Sequence, residues 1–235
     1  MIKLASLLVL TVGLASAATI SFTTPTGSQS AADGLVDASA TVVTGAGSVT
    51  VTLNDLLGNP HSVGQLLSDF FFTLSSAPTT ALNTTSTPTG SLIDIAGDGT
   101  ATTYAGAVTN WDLTSSGATI LLNSLNGSGP SQTIIGPAGP LGLYTNANKS
   151  IAGNGPHNPF LTGPVTFTFL VGGVTTSTTV TAATFSFGTA AGDNVPGTPC
   201  TDCGGTVEDI PEPLSLFLMG GGLLGVGVLG KFRRA

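Results

Sequence analysis

Charge is what this sequence has least of. Only 7% of its 235 residues are Asp, Glu, Lys or Arg, against roughly 25% in ordinary globular domains. Lys and Arg number 5 and Asp and Glu 12, a formal net charge of -7. Nucleic-acid binding through a basic surface is excluded, because neutralising phosphates takes clustered Lys or Arg. A long coiled coil is excluded, because its e and g positions are ordinarily charged. Tryptophan occurs once and tyrosine twice, a poor platform for stacking sugars. No Gly-x-Ser-x-Gly nucleophile elbow is present, and Gly127-Ser128-Gly129 lacks that spacing. Apolar residues are nonetheless 41% of the chain and the mean hydropathy is +0.43. A charged disordered chain is therefore excluded as well. The length allows one domain with processing segments, or two small domains. Gly (33) and Pro (14) interrupt it often.

Both ends read as addresses. The chain opens Met1-Ile2-Lys3, continues apolar from Leu4 to Leu14, and reaches Ala15-Ser16-Ala17. A basic start, a short apolar run and an A-x-A site make a secretory signal peptide. Cleavage is expected after Ala17, recognised through Ala15 and Ala17, with Ala18 as the second choice. The apolar run is shorter than the ~20 residues that span a bilayer.

The other end reads Ile210-Pro211-Glu212-Pro213, then an uncharged Leu/Gly/Val-rich stretch over 214–230, then Lys231-Phe232-Arg233-Arg234-Ala235. That stretch is at the lower limit for a membrane-spanning helix. The basic terminus places its end in the cytoplasm by the positive-inside rule. The two prolines keep a helix from extending upstream.

In this order, Pro211-Glu212-Pro213, the apolar span and Lys231, Arg233 and Arg234 resemble the PEP-CTERM sorting signal of bacterial surface proteins. The resemblance covers about 25 residues. In that family a membrane-embedded exosortase, a cysteine-protease-like enzyme, recognises the tail and removes it. Members occur mainly in Gram-negative bacteria that make exopolysaccharide. The resemblance thus implies an exosortase-type processing enzyme as partner, transient anchoring in the inner membrane, and display at the cell surface or release. Exopolysaccharide is a further candidate partner. Many members have Val before the first Pro and Ser or Thr after the second; Ile210 and Leu214 stand there in this chain, with Ser215 one place later.

Between the ends the signal is period two. Val165, Phe167, Phe169 and Val171 alternate with Thr166, Thr168 and Leu170. Gly172-Gly173 then predicts a two-residue hairpin turn into Val174–Val180, with a third strand at Thr184–Phe187. Thr41–Val43 and Val49–Leu53 form an earlier pair around Gly45-Ala46-Gly47. Phe70–Leu74, Ser91–Ile95 and Ala118–Leu122 add strands. A short helix is expected at Ser62–Asp69, with Ser62 as cap and Leu66 and Leu67 inward. The fold class this predicts is all-β: an antiparallel β-sandwich or jelly-roll-like body, with an N-terminal signal peptide and one C-terminal transmembrane helix. Its core is expected from the eleven Phe with alternating Val, Ile and Leu. The expected organisation is a signal peptide over 1–17, a β-rich extracytoplasmic domain over 18–190, a Gly/Pro/Cys-rich spacer over 191–209 and a sorting tail over 210–235.

The body is acidic. Residues 18–210 hold eleven of the twelve acids and a single base, Lys149, a formal charge of about -10 that repels anionic polymers unless divalent cations bridge them. Cys200-Thr201-Asp202-Cys203 is read as a local disulfide formed after export; it lacks the βαβ setting of a redox motif and the four ligands of a zinc site. His61 and His157 both follow Pro in turn contexts and are read as turn-fixing residues, with a base or metal-ligand pair as the alternative. Asp94 and Asp98 lie near a turn; Ala96 and Ala105 break the EF-hand pattern, which leaves a looser calcium site at a sandwich edge, with backbone oxygens, as the alternative. Trp111 beside Asp112 is read as a partly buried aromatic, with a sugar contact as the alternative for which it is the best single candidate. Asn83, Asn126 and Asn148 begin Asn-x-Ser/Thr triplets without evident meaning. No catalytic, cofactor or metal residues are assigned. The resulting expectation is a non-enzymatic, exported surface or matrix protein. A carbohydrate-binding adhesin module on the same sandwich is the alternative, and a carboxylate-based glycoside hydrolase a remote third.

Overall fold

The computed structural model describes residues 17–31, 33–84, 88–125 and 130–201. The chain divides into two compact units, Met1–Cys203 and Gly204–Ala235. All described residues belong to the first. The signal peptide, the tail with its span over 214–230, and Pro211, Glu212, Pro213, Lys231, Arg233 and Arg234 lie outside them, as do Ala15 and Cys203.

The unit is all-β, and no α-helix occurs among the described residues. Sixteen strands follow in order, several of only two or three residues: β1 (Ala18–Thr23), β2 (Gln29–Ser30), β3 (Gly34–Leu35), β4 (Ala38–Thr44), β5 (Ser48–Asp55), β6 (Leu67–Leu74), β7 (Asn83–Thr84) and β8 (Thr89–Ile95). The second half holds β9 (Ala101–Tyr104), β10 (Asp112–Ser116), β11 (Thr119–Asn123), β12 (Ile134–Ile135), β13 (Phe160–Leu170), β14 (Val180–Phe187), β15 (Asn194–Pro196) and β16 (Thr198–Cys200). Fourteen of them form one hydrogen-bonded network; β2 and β3 make a separate hairpin.

That network has two arms. One runs β10-β11-β6-β14-β15, the other β16-β1-β4-β5-β13-β8-β9. They join through β12, which touches β6 at Ile134↔Leu67 and runs parallel to β13. The arms also pack face to face. Phe72 of β6 lies 6.5 Å from Phe169 of β13, ring centre to ring centre. One continuous core fills the space between, with Val49, Val51 and Leu53 from one side and Phe70, Phe72 and Phe185 from the other. Alternation explains it: along β4 and β5 every second residue is buried, as the two-residue side-chain period demands. A second cluster, including Leu66, Ile95, Tyr144 and Phe160, is separate from this main core. Eight phenylalanines are buried. Phe71 is half-buried, flanked in sequence by the buried Phe70 and Phe72, and Phe217 and Phe232 lie outside the described residues.

Three expectations are corrected. Gly172-Gly173 does not turn β13 into a hairpin with the next strand. Its strand β13 already has β5 on one side and β7 and β8 on the other, so no edge remains for a partner. Instead the Val174 amide bonds back to Val171 O, and Val174 O accepts from the Gly47 amide. The chain then crosses to the other arm, where β14 pairs with β6. The helix at Ser62–Asp69 shrinks to one 3-10 turn, Val63–Gln65. Gly64 is a weak helix former, and from Leu67 the ladder partners of β6 take over. Finally, part of the expected spacer is sheet: β15 pairs with β14 and β16 with β1.

One exposed position is strained. Leu141 is 94% exposed and adopts φ 65, a left-handed conformation that costs an L-residue about 1–2 kcal/mol. Leu141→Asn is expected to stabilise the protein by about 0.5–1 kcal/mol, because Asn tolerates this region. An unchanged or lower urea midpoint would count against it.

Candidate functional site

The outer face of the β1-β4-β5-β13 arm is a net of hydroxyls. Register aligns Thr166, Thr52, Thr41 and Ser21 in one row across four strands, and Thr168, Thr50, Val43 and Thr19 in the next. Hydroxyls pair within the rows: Thr52 with Thr166 at 3.0 Å, Ser21 with Thr41 at 3.0 Å, Thr50 with Thr168 at 3.3 Å. Neighbouring strands stand about 4.8 Å apart, and alternate residues along a strand about 7 Å. Neither row contains a charged side chain. The other arm repeats the device once, Thr73 with Thr119 at 3.0 Å.

The residues singled out in the sequence are tied into the body. His61 Nδ1 meets Asn146 O at 2.8 Å, and His157 Nδ1 meets Ser150 O at 2.9 Å. Both rings thus brace one loop, 146–150. Asp98 accepts from the Thr100 amide at 3.0 Å, closing its own turn; this bond holds the exposed carboxyl below its ordinary pKa. Asp94 accepts from the Tyr104 hydroxyl at 3.3 Å. Trp111 packs on Phe167 with centroids 5.1 Å apart and donates its indole N–H to Gln132 O at 2.8 Å. Gln132 in turn accepts from the Thr109 and Asn110 amides. Asp112 stands exposed at the start of β10. Cys200 is disulfide-bonded. Among the described residues no three His, Cys, Asp or Glu gather closely enough to hold a metal ion.

Two carboxylates are buried under the sheet. Asp55 accepts from the Leu57 amide at 3.0 Å and the Leu67 amide at 3.3 Å. Burial pushes its pKa well above the ordinary value despite those bonds. Asp69 accepts from the Ser124 amide at 3.3 Å, and burial raises it to about 6. Tyr144 is pushed up to about 12, first by burial and then by the neighbouring Asp55; its hydroxyl donates to Gly136 O at 3.0 Å.

One cleft brings together polar groups that the sequence holds far apart. It encloses about 340 Å³, with Asp33, Ser62, Asn148, Ser150, Thr189 and Asp193 among its lining. Val63 and Phe187 supply apolar wall, and Gly64 and Gly188 thin backbone. Ser62 Oγ donates to Asp33 Oδ1 at 2.6 Å. The Ala31 amide donates to both oxygens of Asp193, at 2.9 and 3.0 Å. Ser150 donates through both its amide and its hydroxyl to Asn148 Oδ1, at 2.7 and 2.6 Å. Sequence reading missed this site. Ser62 looked like a helix cap, Asn148-Lys149-Ser150 like a stray triplet, and no spacing links Asp33 to Asp193. No protein-family model, no curated protein and no solved structure matches this chain.

Proposed function

We propose that the protein is a non-enzymatic surface or extracellular-matrix component, exported by its N-terminal segment and sorted by its C-terminal tail. The observation that carries this reading is where the sheet begins. Strand β1 starts at Ala18, the residue after the expected cut. Removing residues 1–17 therefore leaves every described strand intact. At the other end β16 reaches Cys200, ten residues before Ile210, so loss of the tail from there spares the sheet as well. The PEP-CTERM-like tail, with its Pro211-Glu212-Pro213 and basic end, would engage an exosortase-type enzyme in the inner membrane of a Gram-negative cell.

The body suits such a role. The outer face of the β1-β4-β5-β13 arm carries Ser and Thr in place of charge, so it stays hydrated without inviting ionic partners. The chemistry to test is turnover. Protein purified from culture is expected to leave a panel of neutral and acidic polysaccharides unchanged in chain length. Any catalytic shortening that single Asp→Asn variants abolish would overturn the non-enzymatic reading in favour of a carboxylate hydrolase. A second reading, a carbohydrate-binding adhesin, is favoured by the polar cleft at Asp33 and Asp193.

A further inference from the structure

We infer that the cleft lined by Asp33, Asn148 and Asp193 binds one neutral sugar unit through neighbouring hydroxyls. This deepens the surface-protein reading by naming a partner class and the place that takes it.

Each polar side chain of the cleft has hydrogen-bonding capacity left to offer. A carboxylate accepts about four hydrogen bonds and a primary amide donates two. Asp33 uses Oδ1 on Ser62, which leaves Oδ2 as an acceptor. Asp193 shares one backbone N–H between its two oxygens and retains further lone pairs. Asn148 receives both of its bonds from Ser150 on Oδ1, which orients the side chain and leaves Nδ2 to donate. The cleft therefore presents acceptor, donor and acceptor. Two adjacent sugar hydroxyls, each both donor and acceptor, complement that set.

Size and charge narrow the ligand. The 340 Å³ volume is at the small end of the roughly 300–1,000 Å³ usual for ligand pockets, the scale of one ring rather than a chain. No Lys, Arg or His lines it. A uronic acid or sulfated sugar would meet two carboxylates and no compensating base. Lys149 sits in sequence between two lining residues but does not line the cleft itself. The geometry is prearranged: Val63 donates its amide to Ser150 Oγ at 2.9 Å, tying the 148–150 loop to the 3-10 turn. A Cβ on Gly64 would fall on Asp33 Oδ2, so glycine there leaves that oxygen room. Charge-assisted bonds to hydroxyls are the strong kind, yet one sugar ring offers few of them, so affinity is expected near a Kd of about 1 mM.

The test is calorimetric titration of the whole chain, held in a detergent without a sugar headgroup. The probes are methyl glucoside, galactoside and mannoside, with glucuronate as the charged comparator, each with EDTA. Saturable binding of at least one neutral glycoside and at least tenfold weaker glucuronate binding are expected. Asp33→Asn and Asp193→Asn should each weaken binding about tenfold or more, while leaving the thermal midpoint near that of the parent, since Asn keeps one acceptor for Ser62 or Ala31. Asn148→Ala supplies the same test if an Asp variant fails to fold. Absence of saturable binding to all three glycosides overturns the proposal. So does glucuronate binding as tight as any of them, binding that requires calcium, or binding that survives the double Asn variant. None of these outcomes alters the mass or location of the processed chain, so the sorting reading stands or falls separately.

Discussion

Phe72→Ala is expected to cost about 3–5 kcal/mol of stability, enough to unfold much of a body whose total is of the order of 5–15 kcal/mol. The reason is position. Phe72 is 1% exposed, its ring 5.7 Å from Phe70 on its own strand and 6.5 Å from Phe169 on the facing arm. Truncation removes one of the contacts between the arms and leaves a cavity that neither can close, because each is braced by its own ladder. Phe71, one residue away, is half-buried and lines a shallow outer depression with Thr73 and Thr119. Phe71→Ala should therefore cost much less. Urea unfolding of both variants checks this. Equal losses would contradict the assignment of Phe72 to the inner face of β6.

Stability is expected to fall as pH rises from about 4 through 6, and further as Asp55 loses its proton, the reverse of the usual carboxylate behaviour. Asp69 has its pKa raised from 3.8 to about 6, and Asp55 is raised as well, both mainly by burial. Between 3.8 and the raised values the unfolded chain has lost these protons while the native state still binds them. The native state then holds more protons, so stability declines with increasing pH. Below 3.8 both states are protonated and the contribution is fully present; above the folded pKa it is gone. Self-repulsion of an acidic body adds the same sign. The depressed Asp98 acts oppositely, but only as pH falls through its own range below 3.8. Asp69→Asn should flatten the decline and stabilise the protein at pH 8 by up to about 2 kcal/mol, once solvent relaxation is allowed for. Thermal midpoints at pH 5 and pH 8 for parent and variant decide it. A parent midpoint that rises with pH would contradict the account.

Local alternation made part of this fold legible. The β4–β5 hairpin followed from Thr41–Val43, Val49–Leu53 and the glycines between them, and its strands pair as expected. Thr184–Phe187 likewise lies within β14. What sequence could not show was which edges were already filled. Gly172-Gly173 has good hairpin chemistry, yet β13 had no free side, and tertiary pairing overrode the local preference. The same competition drew Leu67–Asp69, the last three residues of the expected helix at Ser62–Asp69, into β6. The cleft was illegible for another reason. Asp33 and Asp193 meet only because the β2–β3 hairpin comes to lie beside the segment that follows β14, where Ala31 bonds to Asp193. That juxtaposition has no period or motif. His61 and His157 were visible as turn residues, but their shared loop was not.

The most direct test of the surface-protein account is the intact mass and location of the protein in the cell that makes it, with and without Glu212→Ala. The account predicts a product that begins near Ala18, ends near residue 210 and lies at the surface or in the medium. In the variant the tail should persist and the protein should remain at the inner membrane. A parent protein that keeps Lys231 to Ala235, whether in the membrane or outside the cell, would contradict it.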